Sequence, residues 1–129
     1  MSIAVELEQL RDAISASDRA PYFLTVGDDG RPHCVAVTWV WRDDELALSV
    51  GSRTLANARA RGAVSLLWAP NDPSGYSLIV DADVTHSAGT GTGDNLVVVR
   101  PTRAVLHRPA TGPTKAPCAA DCLPVLRET

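Results

Sequence analysis

The chain is poor in several things that would have narrowed its role at once. It has one phenylalanine, one methionine, one lysine (Lys115) and no run of basic residues, and its net charge is -3. Without a basic stripe, neither nucleic acid nor an anionic membrane surface is expected as a partner. Long hydrophobic runs are also missing. The longest largely apolar stretch, Cys34 to Trp41, is far too short to span a bilayer. The start, MSIAVELEQL, has no basic segment and turns polar within six residues. No secretory signal is therefore expected, and a cytoplasmic location is. Three cysteines, Cys34, Cys118 and Cys122, are an odd count, which argues for reduced thiols over a disulfide framework.

What remains is an ordinary globular composition, 45% hydrophobic and 21% charged. At 129 residues it suits a single domain able to bury a core. The pattern predicts an N-terminal helical segment (residues 1–18), in which Ile3, Leu7, Leu10 and Ile14 share one face. Six strands are expected to follow, at Tyr22 to Val26, Pro32 to Trp41, Leu46 to Val50, Val64 to Trp68, Tyr76 to His86 and Leu96 to His107. Gly27-Asp28-Asp29-Gly30 reads as a hairpin turn, and so does Arg42 to Glu45. Ser52 to Arg61 has helical composition, with Gly62 in the place of a C-terminal glycine. Pro101 predicts an edge position or a bulge in the sixth strand. The tail, residues 109–129, carries four prolines and is expected to be an irregular strap.

The second strand is apolar on both faces: Val35, Val37, Trp39 and Trp41 alternate with Cys34, Ala36, Thr38 and Val40. A half-solvated antiparallel strand shows one polar face. One apolar face can fill a barrel interior, and a symmetric dimer is the better account of the other. The alternative is that the N-terminal helix and the tail cover it.

The stretch richest in chemistry is Gly51-Ser52-Arg53-Thr54-Leu55-Ala56-Asn57-Ala58-Arg59. A strand ends, and a helix opens with two hydroxyls and a guanidinium. Free amides and the positive end of the helix dipole favour an anion there. Arg53 could grip a phosphate through two parallel bonds, with Ser52 and Thr54 adding hydroxyls. The plain reading is equally open: Ser52 caps the helix, and Arg53 and Arg59 are solvated charges. Other features carry less. His33, His86 and His107 lack metal spacing, and Cys118-x-x-x-Cys122 matches no standard zinc knuckle, so no metal is expected. Gly89 to Gly93 lies between strands and reads as a flexible turn. Asp81 and Asp83 share a strand face, where a solvated role is expected. Trp39, Trp41, Trp68 and Tyr76 read as core or interface.

In order, PYFLTVGDDGRPHCVAVTWVW, LALSVGSRTLANARARGAVSLLW, YSLIVDADV and RPTRAVLHR resemble the pyridoxamine 5'-phosphate oxidase-like family of FMN-binding split barrels, over about Leu7 to Arg108. The resemblance implies a mainly β, six-stranded antiparallel split barrel, a homodimer, and a flavin-type cofactor at the subunit interface. That cofactor would be FMN or, alternatively, the deazaflavin coenzyme F-420. It further implies that Ser52, Arg53 and Thr54 hold the cofactor phosphate. Ala36, Val37, Thr38, Trp39 and Val40 would line the ring, and Asn57 and Arg59 would be second contacts. No catalytic residue is assigned.

The sequence departs from the family pattern at Arg53, where lysine is common, and in the fifth strand, where Ala82 replaces a glycine. The C-terminal arginine and histidine of a true pyridoxamine phosphate oxidase have no match, which argues against vitamin B6 oxidation. The implied function is an oxidoreductase acting on a small unsaturated or conjugated substrate. The alternatives are a non-catalytic binding protein for flavin, haem or a lipid-like ligand, and a cofactor-free structural dimer. The acidic tail of a deazaflavin would favour a basic exit groove, for which Arg59, Arg61 or Arg103 could serve.

Overall fold

The computed structural model describes residues 2–109 and, as backbone only, residues 120–123. Their chain order is β1 (Ser2–Ala4), α1 (Leu7–Ser15), β2 (Tyr22–Val26), β3 (Pro32–Ala36), β4 (Thr38–Arg42), β5 (Glu45–Val50), α2 (Ser52–Ala60), β6 (Ala63–Trp68), β7 (Ser77–Ala88), β8 (Asn95–Pro109) and β9 (Ala120–Leu123). Among the described residues the strands form one antiparallel sheet of nine, in the order β3-β2-β6-β7-β8-β5-β4, with β1 and β9 pairing with the far end of β8.

Six strands were expected, and the difference has three sources. Pro32 to Trp41 is not one strand. It divides at Val37 into β3, which pairs with β2, and β4, which pairs with β5 at the opposite end of the path. The Val37 N–H leaves the ladder and donates to the Pro21 carbonyl (3.0 Å). The chain thus crosses from one edge of the sheet to the other, and the sheet curls without closing. The second source is the start of the chain, where Ser2–Ala4 pairs with Val105 to His107 instead of opening the helix. Leu7 stays 53% exposed, and α1 buries only Leu10 and Ile14. A ladder along β8 satisfies more backbone groups than one extra helical turn would. The third is the tail, where Ala120–Leu123 adds a strand; residues 110–119 and 124–129, Cys118 among them, lie outside the described residues.

Turn chemistry explains the local order. Gly30 adopts a left-handed φ of 79° in the β2–β3 hairpin, and the Gly27 amide donates to the Arg31 carbonyl (2.9 Å). Asp43 takes φ 57° at the β4–β5 hairpin. Pro101 lies beside a register shift: Asp81 pairs with Arg103 and Ala82 with Pro101, so Thr102 is the extra residue of a bulge. At Pro101 β8 pairs with β7 alone among the described residues, because β5 reaches only Val99 and β1 begins at Val105, so a bulge beside a locally unpaired edge accommodates the proline. Gly62 is not a left-handed helix cap. Arg61 is already extended, and the Gly62 carbonyl accepts from Val84 N (2.9 Å) as β6 begins. In the turn after β6, the Ser74 hydroxyl and then its amide donate to Asp72 (2.6 and 2.8 Å), which lowers the pKa of that carboxyl.

The core fills the concave side. Phe23, Leu46, Leu48, Leu66, Trp68, Val80, Val97 and Val99 are essentially inaccessible, with Leu10 and Ile14 of α1 and Leu55 and Ala58 of α2 packed on them. Trp39 stands edge-on to both Trp41 (5.9 Å) and Trp68 (6.1 Å). Arg11 of α1 lies 4.1 Å over the Trp41 ring and donates to the Asp43 carbonyl (2.6 Å), tying the helix to the β4–β5 hairpin. The other face of β2–β4 is bare. Tyr22 is 44% and Val40 63% exposed, and Cys34, Ala36 and Thr38 are open to solvent. Neither helix covers that face.

Candidate functional site

The start of α2 lies where β5 ends, beside the β3–β4 crossing. Gly51 is its N-cap, with extended backbone (φ -81°, ψ 176°), and no side chain caps the helix. The Ser52, Arg53 and Thr54 amides therefore open the helix with no side-chain acceptor. Gly51 has no conformational need to be glycine, and a Cβ there would meet nothing within 4 Å. Its lack of a side chain keeps the approach to those amides clear.

A hollow of about 280 Å³ sits against this start, lined by His33 to Val37 except Cys34, by Ser49 and Val50, and by Gly51 to Thr54. Its lining contains no carboxylate. Arg53 is exposed and has no hydrogen-bond or ion-pair partner among the described residues, whereas Thr54 is 2% exposed. Hydroxyls, a free guanidinium and amides at a helix start are the donor set for a phosphate, so these residues fit a phosphate-bearing cofactor.

The expected site residues separate into groups. Ala36, Val37, Ser52, Arg53 and Thr54 come together around the hollow. Thr38, Trp39 and Val40 do not line it: Trp39 turns into the aromatic cluster, while Thr38 and Val40 stand on the bare outer face. Asn57 is 7% exposed, and its Nδ2 donates to Thr25 Oγ1 (3.2 Å), fastening α2 to β2. Arg59 reaches away, donating to Ser87 Oγ (3.0 Å) and the Gly89 carbonyl (2.9 Å). It thus ties α2 to the glycine-rich turn, where Gly89, at φ 127°, packs against Asn95. Residues that sequence reasoning missed are His33, Val35, Ser49 and Val50, which flank the helix start on neighbouring strands. The one available signal was their position at the strand ends nearest Gly51.

The Asn57–Thr25 bond carries an expected outcome. Asn57→Ala removes a buried donor and strands the Thr25 hydroxyl, so it should cost about 1–3 kcal/mol of stability. Thermal unfolding checks this, and an unchanged midpoint would show the bond to be dispensable.

No protein-family model matches the chain. An uncharacterized protein of Mycobacterium bovis and another of Mycobacterium tuberculosis do. Each is 41% identical over 133 residues, covering 92% of this chain and 93% of the relative. The chain belongs to the family of these mycobacterial proteins. Among solved structures, an F420 reductase superposes with a TM-score of 0.60 at 19% identity, covering 72% of this chain and 94% of its own. An FMN-binding protein from Syntrophomonas wolfei gives 0.61 at 17% identity, with 78% and 84% covered. A haem storage protein from Vibrio cholerae gives 0.58 at 12% identity, with 80% and 94% covered. This chain therefore shares the split-barrel fold of these solved structures. In the family member described here, no helix among the described residues is long and apolar enough to cross a membrane. Nor do three or more His, Cys, Asp or Glu side chains gather as a metal set among those residues.

Proposed function

We propose that this protein binds a flavin-type cofactor through its phosphate at the start of α2. We further propose that it acts as a cytoplasmic homodimeric oxidoreductase on a small unsaturated or conjugated substrate. The observation that carries the reading is the carboxylate-free hollow at Gly51 to Thr54, with Arg53 unpartnered beside it. When bound, the cofactor supplies hydride or electron transfer. The chain's own residues bind and orient it. Arg53 and the α2 amides hold the phosphate. The exposed positions Ala36, Thr38 and Val40 offer a flat strip with small or short side chains for a planar ring. A second copy seated on the bare face of β2–β4 would cover that strip and exclude water. Self-association through this face accounts for Tyr22 and Val40 being exposed on an otherwise well-packed sheet.

A second reading is favoured by His33, which lines the same hollow. It supplies an imidazole suited to a haem iron, and the protein would then bind haem without turnover. The absorption spectrum separates the two. Flavin-type bands, or spectral saturation on titration with FMN or the deazaflavin, are the expected result; an intense haem band would favour the second reading. A colourless protein that binds neither flavin at high micromolar concentration would sink the first. Sedimentation should show a dimer at micromolar concentration, and a monomer alone would overturn the pairing.

A further inference from the structure

The phosphate grip proposed for α2 is one-sided, because its amides, its hydroxyls and Arg53 all reach the ligand from the helix. A phosphate presents three strong acceptor oxygens, and few donors remain to meet it from another direction. Arg59 is turned away to Ser87 and Gly89. Arg61 Nη1 donates to Asp28 Oδ1 (3.1 Å) and to the Val26 carbonyl (3.4 Å). Arg31 lies 3.8 Å from Asp29, and Arg103 is on β8, opposite Asp81. The basic exit groove that Arg59, Arg61 and Arg103 were expected to form is therefore not built. None of these cations lines the hollow at the helix start.

His33 does line it, from the strand side. The β2–β3 register sets Thr25 opposite His33, so the two side chains share the inner face of the sheet. Thr25 is 1% exposed and accepts from Asn57 Nδ2 (3.2 Å), which pins α2 over that face. Asn57 and Arg53 stand four residues apart on α2, neighbours on one side of the helix. His33 and Arg53 thus reach one hollow from two walls, the first carried by β3 and the second by α2. His33 is half-buried and, like Arg53, has no hydrogen-bond or ion-pair partner among the described residues. No carboxylate lines the hollow to accept from it. An imidazole keeps at least one ring N–H in either protonation state, so a phosphate there would meet a donor.

We propose that His33 completes the phosphate site: its ring N–H donates to a phosphate oxygen from the β3 wall, while Arg53 and the α2 amides hold the group from the helix. This rests on the flavin reading and adds to it a binding residue on a second element. The phosphate is then clasped between strand and helix. The bland account is a half-buried strand histidine that meets only water, and the haem reading gives the same imidazole to iron.

FMN and riboflavin differ only in the phosphate, so the pair tests the proposal on His33→Ala and His33→Gln. The alanine variant should bind FMN about tenfold more weakly, the loss of one bond to a charged acceptor. Riboflavin should stay within about twofold, because it offers neither protein a phosphate to hold. Glutamine restores an N–H donor, so His33→Gln should recover most of the FMN affinity. The absorption bands of bound FMN should match in all three proteins, while the phosphorus resonance of the bound phosphate moves in His33→Ala. If riboflavin binds too weakly to titrate, inorganic phosphate competing with FMN takes its place, and its inhibition constant should rise about tenfold in His33→Ala. Equal losses for FMN and riboflavin, with a lower thermal midpoint, would give His33 a structural role and overturn the proposal. So would an unchanged FMN affinity, or an unchanged inhibition constant for phosphate; either leaves the flavin reading standing without His33. A protein that binds neither flavin, or that shows haem bands lost in His33→Ala, removes the flavin reading and this assignment together.

Discussion

Arg53→Ala is expected to weaken FMN binding by one to two orders of magnitude, roughly 1.5–3 kcal/mol for one charge-assisted, bidentate contact. The size follows from what the side chain does in the free protein. Arg53 is exposed and bonds to nothing among the described residues, so its guanidinium gives up no internal partner when it takes a phosphate. For the same reason the fold should not notice the change. A surface side chain without partners typically alters stability by less than about 0.5 kcal/mol. The informative result is thus a split: affinity falls while the thermal midpoint holds. Arg53→Lys keeps the charge but loses the planar fork, and its affinity should lie between the two. Titration followed by flavin fluorescence or absorbance reads all three proteins. Unchanged binding in Arg53→Ala would mean that the phosphate is held elsewhere, even if the cofactor is correct.

The second large effect lies in the core. Phe23→Ala should cost about 3–5 kcal/mol, because it removes a whole buried ring and leaves a cavity its neighbours cannot fill. Phe23 is fully inaccessible and pairs across β2 with Val35 on one side and Leu66 on the other. It therefore sits where the crossing strand and the middle of the sheet meet. Against a total stability of about 5–15 kcal/mol, that loss leaves a protein close to unfolding at physiological temperature. Phe23→Leu retains most of the volume and should cost much less. Denaturant midpoints, taken at one protein concentration because self-association adds to apparent stability, measure both. A loss below about 1 kcal/mol for the alanine variant would show that the core closes over the gap.

How far these features could be read without coordinates depended on how local their causes are. The hairpin at Gly27 to Gly30 and the start of α2 at Ser52 were legible because glycine torsions and helix ends are decided within a few residues. The bulge beside Pro101 was legible for a similar reason, since a proline cannot donate to the ladder wherever its strand lies. The break at Val37 was invisible. Val35, Val37, Trp39 and Trp41 turn inward and Cys34, Ala36, Thr38 and Val40 turn outward without interruption, so the period-two pattern runs straight through the crossing. Only the positions of β2 and β5 at opposite ends of the sheet decide that the chain must change partners there.

The sequence by itself determined that the chain is mainly β, where its tight turns fall, and that a helix start follows β5. Those are properties of short segments. Tertiary structure alone decided which cations are free. Arg61 and Asp28 are 33 residues apart and Arg59 and Gly89 30, and each pair meets only because α2 lies across the ends of β2 and β7. Charge pairing depends on distance in space. A sequence rich in arginine could not say that Arg53, alone of the three arginines on and just after α2, would be left to meet a ligand.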